Sequence, residues 1–140
     1  MATRVNAYLN FSGTAREAMT FYKDCIGGET EFITVGGSPI EDQMPAEMKN
    51  SILHSTLIKG DVTIMATDMS GPEGVKVGNN FSLMLDCETE DEIRTFYDKL
   101  VVGGNGTHPV GPAFWGGLFG HLTDKYGINW MLNCSSAGQG

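Results

Sequence analysis

At 140 residues with 17 acids against nine bases and a formal net charge of −8, the chain is long enough for one domain with a substantial core and poorly suited to phosphate backbones or anionic membrane surfaces. Its three cysteines, Cys25, Cys87 and Cys134, are an odd set without C-x-x-C or zinc-ligand spacing, which points to a reducing compartment rather than a disulfide scaffold. The opening Met1-Ala2-Thr3-Arg4 has no apolar h-region and no later run approaches membrane-spanning length, so a soluble cytoplasmic protein with no nucleic-acid or membrane partner is expected.

An apolar run over 5–11 reads as the first strand. Thr14-Ala15-Arg16-Glu17 then fits a capping box, in which a Thr hydroxyl and a Glu carboxylate satisfy backbone donors at a helix start. The helix over 14–26 places Ala15, Ala18, Met19, Tyr22, Cys25 and Ile26 on one stripe, and Gly27-Gly28 breaks it. Strands follow over 31–35, 52–59 and 62–66, the last two joined at Gly60-Asp61, a dipeptide suited to a hairpin turn. Between them the polar, acidic stretch 36–50, with Met44 and Met48, is read as a surface insertion, with a lid or partner-contacting loop as the alternative. A Gly-rich linker with Pro72 spans about 69–79.

The same unit then begins again. A strand over 81–85 precedes Thr89-Glu90-Asp91-Glu92, a second capping box at the spacing that also separates Thr20-Phe21-Tyr22 from Thr95-Phe96-Tyr97. The helix behind it carries Ile93, Phe96, Tyr97, Leu100 and Val101 on its stripe, and Gly103-Gly104 repeats the break. Strands over 107–110, 115–123 and 128–133 complete a second β-α-β-β-β order, with a turn near 125–127. Thr67-Asp68 and Thr123-Asp124 resemble a further repeat but follow topologically different strands. A supersecondary unit that cannot bury its own sheet face must pack against a twin, which makes the seam between copies a natural place for a cavity.

Duplicated β-α-β-β-β modules resemble the vicinal oxygen chelate superfamily, which includes glyoxalase I, extradiol dioxygenases and bleomycin-resistance proteins. Ala7-Tyr8-Leu9-Asn10-Phe11, Glu17-Ala18-Met19-x-Phe21-Tyr22, Ile52-x-His54-Ser55, Ile64-Met65-Ala66-x-Asp68, Phe114-Trp115-Gly116 and the segment from Thr123 to Met131 narrow the resemblance to the PhnB-like subfamily over nearly the whole chain. Members often carry the label 3-demethylubiquinone-9 3-methyltransferase-like, yet no strand here runs into a Gly-rich cofactor loop with an acidic ribose anchor. The resemblance implies an α+β fold of two tandem βαβββ modules forming curved mixed sheets. It implies a single domain over 1–140, with module one at about 1–70 and module two at about 80–136, and it implies a homodimer.

In metal-dependent members of the superfamily, His, Glu or Gln on the first and last strands of each module hold a divalent cation. Aligned on the strand-helix units, those positions fall near Ala7, Met65, Asn80 and Met131, where only Asn80 offers an oxygen. Two thioethers and a methyl are poor ligands for Ni²⁺, Zn²⁺, Mn²⁺ or Fe²⁺, so no metal and no cofactor are expected. The expected function is binding of a small, partly apolar molecule in a cavity walled by Ala7, Met65, Asn80, Phe114, Trp115 and Met131, with Asn80 or His54 orienting it. The alternatives are a divalent-metal isomerase, lyase or dioxygenase using unorthodox ligands, and a drug-sequestering resistance protein.

Each candidate also has a plainer role. His54 in mid-strand is read as a hydrogen-bonded interior histidine or an acid-base group, and His121 with His54 and Asp68 or Asp124 as an off-pattern metal site. His108 is read as a surface residue. Trp130 is read as core, while Trp115 begins a strand with Gly116, Gly117 and Gly120 leaving space beside its ring. Cys25 and Cys134 are read as buried, and Cys87, just before a helix, as the one thiol placed for thiolate character. No nucleophile-base constellation can be read from the spacing, and no catalytic residue is assigned.

Overall fold

The structure, a computed structural model, describes residues 3–69 and 73–135, so Met1, Ala2 and the linker residue Pro72 lie outside the described residues. The chain divides into two compact units, Met1–Lys76 and Val77–Gly140. Unit one runs β1 (Ala7–Asn10), α1 (Ala15–Ile26), β2 (Glu29–Thr34), β3 (Ile52–Lys59) and β4 (Val62–Thr67). Unit two runs β5 (Leu83–Asp86), α2 (Glu90–Leu100), β6 (Asn105–Pro112), β7 (Leu118–Thr123) and β8 (Asn129–Cys134). Each unit forms a four-stranded mixed sheet, ordered β1-β4-β3-β2 and β5-β8-β7-β6, with its first strand parallel to its last. The repeat in the sequence is therefore a repeat of topology.

Alternation along the strands decides what each sheet face holds. In unit one Leu9, Leu57, Ile64 and Ala66 are buried with the α1 stripe of Ala15, Ala18, Met19, Tyr22, Cys25 and Ile26. In unit two Leu85, Leu122, Trp130 and Leu132 are buried with Ile93, Tyr97 and Leu100 of α2. Full burial of each Leu or Ile contributes about 1.5–3 kcal/mol, so these helix-covered faces carry the core energy. Phe96 and Val101, read onto the second stripe, are only half-buried.

The Gly-Gly breaks have a steric cause. A Cβ on Gly28 would lie 2.6 Å from the Ile58 carbonyl oxygen, and one on Gly104 would press on the carbonyl oxygen of Thr123. Ile58 and Thr123 hold corresponding places, one next to the β3–β4 turn and one next to the β7–β8 turn.

The two helix starts differ where the sequence reads them as alike. At α2 the Thr89 hydroxyl accepts from the Glu92 N–H at 3.1 Å, the first half of a capping box, while Glu92 Oε1 reaches back one residue beyond the cap to accept from the Glu88 N–H at 3.0 Å. At α1 the Thr14 side chain makes no capping bond. Asp68, just past β4, takes its place: Oδ1 accepts from the N–H of Gly13 and of Ala15, each at 3.0 Å, and Oδ2 from Ile52 N–H at 2.9 Å. A carboxylate at a helix N-terminus is also favoured by the helix dipole.

Two more segments depart from the sequence reading. Stretch 36–50 contains two short 3-10 helices, Glu41–Gln43 and Ala46–Met48. The third strand of unit two starts at Leu118, so Phe114 and Trp115 belong to the turn before it, closed by Ala113 N–H donating to the Gly117 carbonyl at 3.0 Å.

Candidate functional site

Each helix covers one face of its sheet, and the opposite faces hold the candidate chemistry. In unit one the pairings Glu31 with Thr56, Thr56 with Met65 and Tyr8 with Met65 lay one row across all four strands. His54, opposite Ile33, lies on the same face, and the Tyr8 hydroxyl sits 3.4 Å from its Nδ1 with the rings 5.8 Å apart. His54 is thus a half-exposed face residue paired with a phenol, not an interior histidine.

In unit two the corresponding row is His108 opposite His121, His121 opposite Met131, and Met131 beside Met84. Phe119, two residues along β7 from His121, joins this face and meets the His108 ring edge-on at 5.6 Å. Trp115 stacks edge-on against Phe119 at 5.4 Å and Phe114 against Trp115 at 4.7 Å. Trp115 and Met84 remain more than half exposed, at 55% and 53%. At the end of the face Asn133 Nδ2 donates to Asp86 Oδ1 at 3.2 Å.

The structure therefore brings His54 and Met65 together in unit one, and Phe114, Trp115 and Met131 onto the aromatic and thioether face of unit two. Two assigned residues fall elsewhere. Ala7 pairs with Ile64 and shares the parity of buried Leu9, so it lies on the helix-covered face; a strand read one residue out of phase changes face, and the outward residue is Tyr8. Asn80 is exposed in a bend before β5, which begins only at Leu83, and the outward residue of that strand is Met84. Strict alternation about Leu9 and Leu85 is the signal that finds Tyr8 and Met84. Of the three glycines near Trp115, Gly116 stands in open space, whereas a Cβ on Gly120 would meet Val110 and the Tyr97 ring, and one on Gly117 the Cys134 carbonyl.

In this row the outward positions on the first and last strands are thus Tyr8, Met65, Met84 and Met131. One phenol and three thioethers do not fit a divalent cation that needs imidazole or carboxylate donors. Among the described residues no three His, Cys, Asp or Glu side chains group closely enough to hold a metal ion. Asp68 and Asp124 do not join the histidines, since both are buried and bonded through both oxygens: Asp124 Oδ1 accepts from Tyr126 and Ile128 N–H, and Oδ2 from Trp130 Nε1 at 2.8 Å. Cys25, Cys87 and Cys134 are buried thiols outside any disulfide, and Cys87 Sγ donates to the Leu85 carbonyl. Burial, and secondarily the charge of Asp98, raises the Tyr97 phenol above its ordinary value, so it stays neutral and donates to the His121 carbonyl at 3.2 Å.

Comparison with known proteins matches this architecture. The family model described as 3-demethylubiquinone-9 3-methyltransferase matches residues 3–133. Protein PA1353 from Pseudomonas aeruginosa is 33% identical, with a TM-score of 0.84 over 96% of this chain and 98% of its own. The PhnB protein from Bacillus cereus is 29% identical, with a TM-score of 0.67 over 94% of this chain and 99% of its own. Protein YjdN of Escherichia coli K12 is 29% identical over 92% of this chain and 93% of its length. The fold extends to a glyoxalase/bleomycin resistance protein/dioxygenase family enzyme from Burkholderia phytofirmans, 14% identical with a TM-score of 0.65 over 94% of this chain and 99% of its own.

Proposed function

The chain belongs to the 3-demethylubiquinone-9 3-methyltransferase family, the PhnB-like branch of the vicinal oxygen chelate superfamily, and from that premise we propose that it binds a small, partly apolar molecule without a hard divalent cation. The observation that carries the proposal is the face of unit two opposite α2, where Trp115, Phe119, Met131 and Met84 form one apolar surface on a chain of only 140 residues. Apolar surface of that kind marks a site of contact, and methionine and aromatic walls adapt to varied apolar shapes. His54 beside Tyr8 supplies polar groups on the corresponding face of unit one. Methyl transfer is not part of the proposal. Both helix N-termini, where a nucleotide-type cofactor would place its anionic group, are occupied by Asp68 and by Thr89 with Glu92. A homodimer in solution completes it, since each sheet ends in edge strands that a symmetric partner covers.

A thermal-shift screen of small aromatic and aliphatic molecules tests the site. Hits are expected to stabilise the parent protein and the helix-surface control Lys99→Ala alike, and to lose their effect on Trp115→Ala. A hit that stabilises Trp115→Ala as much as the parent sinks this assignment. Light scattering at micromolar concentration should give the mass of two chains, and a monomer mass removes the dimer.

A further inference from the structure

The two histidines of the unit two row are held in one tautomer. His108 Nδ1 lies 3.0 Å from the Pro109 carbonyl oxygen, which can only accept, so Nδ1 carries the proton and Nε2 keeps its lone pair. At His121 the Thr107 hydroxyl donates its single hydrogen to the His121 carbonyl at 3.0 Å. Thr107 Oγ1 can then only accept from Nδ1, also at 3.0 Å, and again Nε2 keeps its lone pair. A ring N–H fixed on a carbonyl or hydroxyl oxygen is the usual support of a metal-binding histidine.

His121 stands between His108 and Met131, its cross-strand neighbours on either side. Directly opposed side chains start about 4.5–5.5 Å apart, so the two imidazoles and the thioether stand side by side in one row across β6, β7 and β8. We propose that His108 Nε2, His121 Nε2 and Met131 Sδ form a binding site for a soft monovalent cation, Cu(I). Thioether and imidazole donors without a carboxylate or thiolate select Cu(I) over Zn²⁺, Mn²⁺ or Fe²⁺. The net charge of −8 favours a cation. The corresponding row of unit one, Glu31, Thr56, Met65 and Tyr8, has a single thioether and no imidazole, so the site belongs to unit two alone. This goes beyond the small-molecule reading.

The test is titration of the purified protein with Cu(I), under anaerobic reducing conditions, against the chromophoric chelator bicinchoninate. One Cu(I) per chain is expected to leave the chelator for the protein. His121→Gln should abolish the transfer, and Met131→Leu, which preserves the apolar shape, should weaken it. Thr107→Val, which frees the His121 ring, should cost about 10- to 100-fold in affinity. Met65→Leu and Trp115→Ala should leave copper binding unchanged, so failure here and failure of the small-molecule site are read separately. Full affinity in His121→Gln, no competition with the chelator, or Zn²⁺ bound as tightly as Cu(I) would each overturn the proposal.

Discussion

Each unit buries one aspartate behind a threonine, and the two carboxylates do different structural work. In unit one Asp68 ties the start of α1 to the first residue of β3, through Gly13, Ala15 and Ile52. In unit two Asp124 ties the β7–β8 turn to the indole of Trp130, and the start of α2 is left to Thr89 and Glu92. A duplicated topology has therefore kept its backbone path while exchanging the polar groups that satisfy it. The lesson is that backbone donors must be met, but the residue that meets them can come from far along the chain.

The largest test of that difference is removal of the two carboxylates. Asp68→Ala strands the donors of Ala15 and Ile52, both buried, and a third near the surface at Gly13. Each buried donor left unpaired costs about 1–3 kcal/mol, so a loss on the order of 4 kcal/mol is expected. Asp124→Ala strands one buried indole N–H, and its two turn donors are only part-buried, so about 2–3 kcal/mol is expected. Chemical denaturation measures both. A larger loss for Asp124→Ala would break the comparison.

The two capping threonines give a smaller and sharper contrast. Thr89→Ala should cost about 1 kcal/mol, the usual value of an N-cap hydroxyl, whereas Thr14→Ala should change the denaturation midpoint by a few tenths at most. Equal losses would mean that Thr14 caps α1 after all.

This pair also shows where sequence reading ends. Helix extents, the α1 stripe, the β3–β4 hairpin and the duplication were legible because they rest on local periodicity and on glycines with steric causes. The α1 cap was not, because Asp68 is distant in sequence from the donors it satisfies and nothing local distinguishes Thr14 from Thr89. The candidate faces were legible in composition but not in phase. Met65 and Met131 stand on the outward row, but at β1 the reading is one residue out of phase, taking Ala7 for Tyr8, and at β5 it misses the start of the strand: Asn80 shares the parity of Met84 but lies in a bend before Leu83. Pairing fixes that phase: Tyr8 stands opposite Met65 and Met84 opposite Met131. His108 and His121 form a pair only because β6 and β7 are antiparallel neighbours.

A contrast in alkaline slope separates the repeated tyrosines. Tyr22 and Tyr97 recur in the same Thr-Phe-Tyr triplet and both are buried, but Tyr97 donates to the carbonyl of His121 on β7, and burial raises its phenol above the ordinary value of 10.0. Because the folded state holds this proton more tightly than the unfolded chain, its contribution to stability is fully present below pH 10.0. As pH rises beyond that value the unfolded chain releases the proton first, so stability falls until the folded phenol also ionises. Tyr97→Phe removes that linkage at the cost of one hydrogen bond, about 0.5–1.5 kcal/mol at neutral pH. Denaturation midpoints followed from neutral to strongly alkaline pH should decline less steeply for Tyr97→Phe than for the parent. Identical alkaline slopes would show that the Tyr97 hydroxyl is open to solvent, and that the backbone of His121 beneath the metal-binding row is held by the sheet alone.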